Sequence, residues 1–365
     1  MELATTLKSQ QVRNSVRDAG INPNHWYAVS WSDRLKPGQV IAVTVWQQAI
    51  AVYRDTEGNV HALEDACPHK GVALHKGLVL GQNLACRYHG WEFDSQGECA
   101  KIPYLPPSQK LPCAKARSYP ICDRYNLLWI FPGDPALAET TPVPHIAEFD
   151  QPGYLMVPVT GHFKAHFSIC NENSMDVFHG FLHENLQGWF DPQLVKLRET
   201  DGSVIADYQV SYRGKLAKFL GLTDQAKDTT TKIISVQYRY PHYFSNLENV
   251  SSLYLMRLPV SPTESRSFAY FFLKVRLPQW LINSARPALQ HILENYVFMK
   301  FLRQDIEMME SEQQTYLKEP QRRYVEINPA IIAVQRLILR QSEQAIAPES
   351  DRSPARNKDA EVSVS

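Results

Sequence analysis

The chain has 365 residues, of which 38 are basic and 38 acidic, so no net charge draws it to nucleic acid or to an anionic membrane. A hydrophobic share of 44% is that of an ordinary soluble protein long enough for two domains with sizeable cores. No run approaches 18 apolar residues and the start, MELATTLKSQQVRNSVRDAG, has no apolar h-region, so the expectation is a cytoplasmic chain, neither secreted nor membrane-spanning.

Residues 1–23 read as a mobile or helical leader, with order expected from NPNHWYAVSWSDRL, where Trp26, Tyr27, Val29 and Trp31 can pack. Short alternating runs follow, QVIAVTVWQQ, AIAVYRD and VHALEDA, divided by turn formers such as Thr56-Glu57-Gly58-Asn59; they predict a small antiparallel β domain over 24–140. Into it falls CPHKGVALHKGLVLGQNLACRYHGWEF, with Cys67-x-His69 and, sixteen residues on, Cys86-x-x-His89. Two thiolates and two imidazoles split between two loops can hold two irons unequally, one through sulfur and one through nitrogen. The alternative is a Cys2His2 zinc site, whose usual spacings pair cysteine with cysteine and histidine with histidine, whereas each pair here mixes the two. His75 fits neither pair, and Cys99, Cys113, Cys122 and Cys170 match no ligand spacing and read as reduced structural thiols.

The β domain closes through RYNLLWIF, and the Pro-rich stretch TTPVPHIAEFDQPGY marks a boundary before a second domain, 141–342. That domain opens with a strand, YLMVPVTGHFKAHF. Next comes NENSMDVFHGFLH, Asn171 to His183. If it is helical, Asp176, His179 and His183 share one face, and two imidazoles plus a further carboxylate make the facial triad of a non-heme Fe(II) with open positions. Surface histidines, or core histidines satisfied by hydrogen bonds, are the plainer reading. Residues 203–275 alternate in the β manner, interrupted by GKLAKFLGLTDQAKDTTT, read as a surface loop or a cover for a pocket. A long helix over RPALQHILENYVFMKFLRQDIEMMESEQQTYL places Asp305 on the apolar stripe of Phe298, Leu302 and Met309, where an isolated carboxylate is costly unless a metal or a cation such as Lys300 or Arg303 pairs with it. Glu307 faces away. NPAIIAVQRLILRQSEQ predicts a last amphipathic helix that docks on the domain or touches a membrane surface, and residues 343–365 read as a disordered tail.

CPHKG and CRYHGW resemble the Rieske [2Fe-2S] motif, and RQDIEMMESEQ looks like the late helix that carries an iron ligand in Rieske non-heme iron oxygenases. The resemblance is to the single-subunit catalytic α subunits on the pheophorbide a oxygenase and vanillate demethylase side of that family. It implies an α+β chain: an N-terminal antiparallel β Rieske domain and a C-terminal helix-grip catalytic domain with a curved antiparallel sheet and long helices. It also implies a cluster on Cys67, His69, Cys86 and His89, a mononuclear Fe(II) on His179, His183 and Asp305, and O2 as co-substrate. By the same resemblance Asp176 is no ligand but hydrogen-bonds a ligand histidine and, across a subunit boundary in a homotrimer, the cluster histidine His89. Asn173 matches a polar residue near the iron, or is a helix cap. Two features depart from the family: three residues separate His179 from His183 where many relatives have four or five, and the late C-x-x-C and membrane spans of plant pheophorbide enzymes are missing.

The expected reaction is hydroxylation or oxidative demethylation of a mostly apolar cyclic or aromatic molecule. Electrons would come from a separate ferredoxin or flavin reductase, since the chain has no G-x-G-x-x-G fingerprint and no second cluster motif. Phe178, Tyr238, Tyr254, Phe272 and Phe298 are the candidates for lining the pocket. Two other readings stay open: an electron carrier whose second domain only binds a partner, and a desaturase or ring-forming oxidase on the same metals.

Overall fold

The computed structural model describes residues 16–106, 108–183, 189–213, 229–247, 250–275, 284, 289–291, 293, 298–322, 324–346 and 360–363. The chain divides into two compact units, Asn22–His145 and Met1–Ile21 with Ile146–Ser365.

The first unit holds ten strands: Tyr27–Trp31 (β1), Val40–Val45 (β2), Gln48–Arg54 (β3), Val60–Glu64 (β4), Leu78–Leu80 (β5), Asn83–Ala85 (β6), Glu92–Phe93 (β7), Cys99–Lys101 (β8), Ile121–Arg124 (β9) and Leu127–Ile130 (β10). They form three antiparallel sheets, β1-β10-β9, β2-β3-β4 and β5-β6-β7-β8. The β2–β3 hairpin turns on Trp46 and Gln47, both at positive φ, so the run QVIAVTVWQQ is a strand and a tight turn rather than one strand. Ala51, Tyr53, Leu63, Leu74, Leu84 and Phe93 make a core that also takes in Cys67 and Cys86.

The second unit is built on an antiparallel sheet of Tyr154–Phe163 (β11), Trp189–Glu199 (β12), Ser203–Arg213 (β13), Thr229–Arg239 (β14), His242–Leu247 (β15), Ser251–Ser261 (β16), Glu264–Lys274 (β17) and Ala360–Ser363 (β18), in the order β11-β17-β16-β15-β14-β13-β12-β18. Among the described residues three helices of more than one or two turns accompany it, Phe167–Met175 (α1), Met299–Lys318 (α2) and Pro329–Ile346 (α3), with α1 packed against both others. Alternation along the strands sends Val157, Val159, Ala269 and Leu255 to the face that meets α2, where they pack with Phe271, Phe298 and Leu302. Helix α3 is capped by Asn328, whose Oδ1 accepts from Ala330 N at 3.0 Å, and has Pro329 in its first turn. Its stripe of Ala330, Ile331, Val334, Leu337 and Ile338 is buried, so that face is spent inside the unit and is not free for a membrane. No described helix is long and apolar enough to cross one.

Order begins earlier than the leader reading expects. Val16, Arg17, Ala19 and Ile21 are buried in the second unit. Arg17 can be buried because it is paired: it donates to both carboxylate oxygens of Glu172, to Glu312 Oε1 at 2.8 Å and to Ser168 Oγ at 2.6 Å, while Gln335 Nε2 donates to Glu172 at 3.0 Å. At the other end, residues 343–346 continue α3 and Ala360–Ser363 adds β18 to the edge of β12, so these parts of the expected tail are ordered. Residues 347–359 lie outside the described residues, as do 1–15 of the leader and 214–228 of the insertion.

Arg17→Met would leave Glu172 buried without its cation. The expected loss is about 3 kcal/mol or more of unfolding free energy, read as a lower denaturant midpoint by far-UV circular dichroism with the cluster absorption unchanged before the transition.

Candidate metal centres

Two loops of the first unit share one backbone pattern. Cys67 N donates to Val72 O at 2.8 Å and Gly71 N to Cys67 O at 2.8 Å; Cys86 N donates to Trp91 O at 2.8 Å and Gly90 N to Cys86 O at 2.9 Å. In each loop a glycine, Gly71 or Gly90, closes the turn at φ +70°, a conformation other residues adopt only with strain. The matched loops bring the four expected ligands together in sorted pairs. Cys67 and Cys86 are both buried, neither is in a disulfide, and each thiol is near enough to act on the other. The His69 and His89 rings lie side by side, centroids 4.7 Å apart. Trp91 stacks on His69 at 4.5 Å with 5° between planes, and its Nε1 donates to Tyr104 OH at 2.8 Å.

Burial pushes the Cys67 thiol up to about 11, with Cys86 adding to the rise and backbone N–H groups opposing it. Such a thiol ionises at neutral pH only against a cation, which is how thiolate ligands to iron form. Sulfur on one side and nitrogen on the other fit a cluster whose two irons are held differently. His75 is taken up by Asp65, which receives its backbone N–H at 2.7 Å and its Nδ1 at 2.5 Å.

In the second unit the expected helix over Asn171–His183 breaks in the middle. Helix α1 ends at Met175, Asp176 is extended at φ −89° and ψ 100°, and a 3-10 segment runs from Val177 to His183. The cause is the side chain of Asp176: its Oδ1 accepts the N–H of Phe178 at 3.0 Å and the amide of Asn328 at 3.2 Å, so it restarts the chain in a tighter turn. Asp176 therefore does not share a helix face with the two histidines.

His179 and His183 still converge, because Asp305 on α2 meets them. Ligand atoms of His179, His183 and Asp305 lie within 4.8 Å of one another. Asp305 Oδ1 is 3.1 Å from His183 Nε2 and 3.7 Å from His179 Nε2. Asp305 and His183 are buried. Lys300, Arg303 and Glu307 are all exposed, so what faces the buried carboxylate is the two imidazoles and Asn173, whose Nδ2 donates to Asp305 Oδ1 at 3.3 Å. Burial lowers the pKa of His179, against the pull of Asp305 and Asp176, and a neutral imidazole is the form that binds a metal.

Three residues around this face carry no signal in the sequence. Gln304 Oε1 sits 2.9 Å from His183 Nδ1; with that nitrogen donating, the lone pair is left on Nε2, which points at Asp305. Phe301 stacks on the same ring at 3.6 Å, and Asn328 reaches Asp176 from the start of α3. Gln304 is one residue from Asp305 and so lies off its stripe; only the general need of a ligand imidazole for a second partner could have pointed to it.

The aromatic residues expected to line one pocket do not converge. Phe298 packs on Phe271 at 4.5 Å, on the α2 face of β17, whereas Phe272 turns to the opposite face with Tyr254 at 5.8 Å. Phe178 meets Tyr208 at 5.6 Å, and Tyr238 OH is 3.2 Å from Asn171 Nδ2.

A sorted cysteine and histidine quartet in one unit and a carboxylate with two imidazoles in the other define a protein with two metal centres of unlike character, one suited to relaying electrons and one with room for exogenous ligands. Residues 25–120 match the Rieske [2Fe-2S] domain, and residues 163–344 match the vanillate O-demethylase oxygenase C-terminal domain. The chain is 33% identical over 372 residues to a 4beta-methylsterol monooxygenase of Methylococcus capsulatus, covering 97% of this chain and 100% of that one. Over 156 residues it is 34% identical to the oxygenase component of dicamba O-demethylase of Stenotrophomonas maltophilia, covering 43% of this chain and 45% of that one. In fold it is similar to a crystal structure of dicamba monooxygenase bound to 3,6 dichlorosalicylic acid, with a TM-score of 0.75 at 22% identity, over 90% of this chain and 100% of that one. The chain belongs to the Rieske non-heme iron oxygenases, as a catalytic α subunit with a vanillate demethylase type second domain. It is an oxidoreductase that uses a [2Fe-2S] cluster, a mononuclear iron and O2.

Gln304→Leu removes the acceptor that orients His183 without touching a ligand. It is expected to weaken binding of the mononuclear metal by about 10- to 100-fold, measured by anaerobic Fe(II) titration, while the cluster absorption stays as in the unaltered protein.

Proposed function

We propose that this enzyme inserts one oxygen atom into a C–H bond of a rigid, apolar, polycyclic molecule of the methylsterol type, as hydroxylation or as the first step of oxidative demethylation. The observation that carries the reading is the alignment along nearly the whole of both chains with a 4beta-methylsterol monooxygenase, catalytic unit included. The second unit is rich in hydrocarbon near that site: Leu253, Leu255 and Phe271 of the sheet pack with Phe298 and with Leu302, which is one turn from Asp305 on α2.

In this reading Cys67, His69, Cys86 and His89 hold the cluster, and His179, His183 and Asp305 hold the iron. An iron held there would supply a redox-active, Lewis-acidic site for dioxygen. The chain's own residues do the rest. Gln304 fixes the His183 ring and Asn173 holds the Asp305 carboxylate. The protein works as a homotrimer in which Asp176 couples the iron ligands of one copy to the partner subunit's His89, and a separate ferredoxin or flavin reductase supplies the electrons. Asp176 is suited to that task because its backbone is already fixed by Phe178 and Asn328, leaving the second carboxylate oxygen for another donor.

The substrate assignment is tested by incubating the protein with a generic ferredoxin and reductase and following oxygen uptake and product mass. A 4-methylsterol that gains one oxygen, with vanillate and dicamba inert, is expected; the reverse preference would overturn it. Asp176→Asn keeps an oxygen for the Oδ1 contacts but removes the charge and puts an amide NH2 where the second carboxylate oxygen stood. It should leave the cluster spectrum intact and lower turnover by about 100-fold, and an unchanged steady-state rate would refute the electron bridge.

A further inference from the structure

Among the described residues the second unit buries two guanidinium groups and treats them in opposite ways. Arg17 has two carboxylates. Arg257, on β16, is just as buried but has no carboxylate at ion-pair distance among the described residues. Its donors are met by neutral groups: Nε reaches Asn171 Oδ1 at 3.3 Å, one terminal nitrogen Ser267 Oγ at 2.5 Å, and the other Cys170 O at 2.8 Å and the hydroxyl of Ser174. Phe163 lies under it at 5.4 Å. Burial lowers its pKa, yet a guanidinium stays charged in proteins, so a whole positive charge is held there. Hydrogen bonds to neutral oxygens satisfy its N–H groups but do not offset the charge. Asp305 is among the groups that act on it electrostatically. The two are linked through α1: Arg257 grips Ser174, and the next residue back, Asn173, grips Asp305.

We propose that Arg257 is a positioning residue of the mononuclear metal site: it ties the last turn of α1 to the sheet and, by its fixed charge, offsets Asp305 and deliberately loosens the hold on the divalent ion. The inference rests on His179, His183 and Asp305 being that site. A cation held beside the metal raises the cost of adding positive charge there and so favours the ferrous over the ferric ion. A purely structural brace and a charged one make opposite predictions: loss of a brace disorders the ligands and weakens metal binding, whereas loss of a repelling charge strengthens it.

The test uses the full-length protein with its cluster oxidised and its mononuclear site emptied by chelation. Manganese(II) is titrated in, and loss of the free-ion EPR signal gives Kd. Arg257→Met, with cluster absorption and circular dichroism confirming the fold, is expected to bind manganese tighter by on the order of tenfold; Arg257→Lys keeps the charge and should stay within about twofold. Unchanged or weaker binding in Arg257→Met would overturn the charge role. If Arg257→Met does not fold, Arg257→Lys decides: an unchanged Kd despite fewer hydrogen bonds supports the inference, and a Kd raised on the order of tenfold assigns Arg257 to bonding geometry alone and overturns it. His179→Ala is the control for the site itself. A manganese Kd that His179→Ala leaves unchanged would instead refute the triad, and with it everything placed around it.

Discussion

The carboxylate of Asp305 is the constraint on which the second unit turns. It sits on the apolar stripe of α2, buried, with two imidazoles and the Asn173 amide all at its Oδ1, and no lysine or arginine pairs with it among the described residues. An isolated buried carboxylate costs several kcal/mol or is neutralised by a proton. In the proposed site a divalent cation shared with His179 and His183 would remove that cost and make a Lewis-acidic centre. Much of the local architecture follows from delivering the two histidines to this point. Helix α1 must stop short, the chain must tighten through Val177–His183, and Asp176 makes both happen with one side chain.

The first unit meets a different constraint by duplication. Its two ligand loops close with the same pair of backbone hydrogen bonds and a glycine in the same conformation, although histidine stands two residues after cysteine in one loop and three in the other. The common backbone puts both thiols inward and both imidazoles at the rim, where Trp91 covers His69. That sorting gives the two irons unlike ligands, and a cluster with imidazole on one iron has a potential well above that of an all-cysteine one.

How much of this the sequence discloses depends on whether a side chain or a tertiary contact decides the matter. The proposed cluster ligands stand out because cysteine and histidine at those spacings are rare and leave few alternatives. Asp305 is legible because a charge on an apolar stripe contradicts its surroundings. The helix break at Asp176 is not legible: NENSMDVF contains no glycine or proline, and the competition between the Asp176 side chain and the helix backbone is won only with Asn328 in place. The hairpin at Trp46 and Gln47 is missed for a similar reason, since neither residue is a usual turn former and the sheet on either side enforces the positive φ. Phe272 is misplaced because strand residues alternate faces, and a sequence does not say which face holds the helix; its neighbour Phe271 is the one that meets Phe298. Arg17 looks like part of a polar leader until Glu172 and Glu312, far away in the chain, are brought to it.

The central claim is that one polypeptide holds two kinds of iron, a cluster in its first unit and a single ion in its second. The ratio of iron to acid-labile sulfide in protein purified without air tests this most directly. The account predicts about three irons for two sulfides per chain. A ratio of about two to two, unchanged when Fe(II) is supplied in excess and the free metal is then removed, would contradict it and leave an electron carrier in place of an oxygenase.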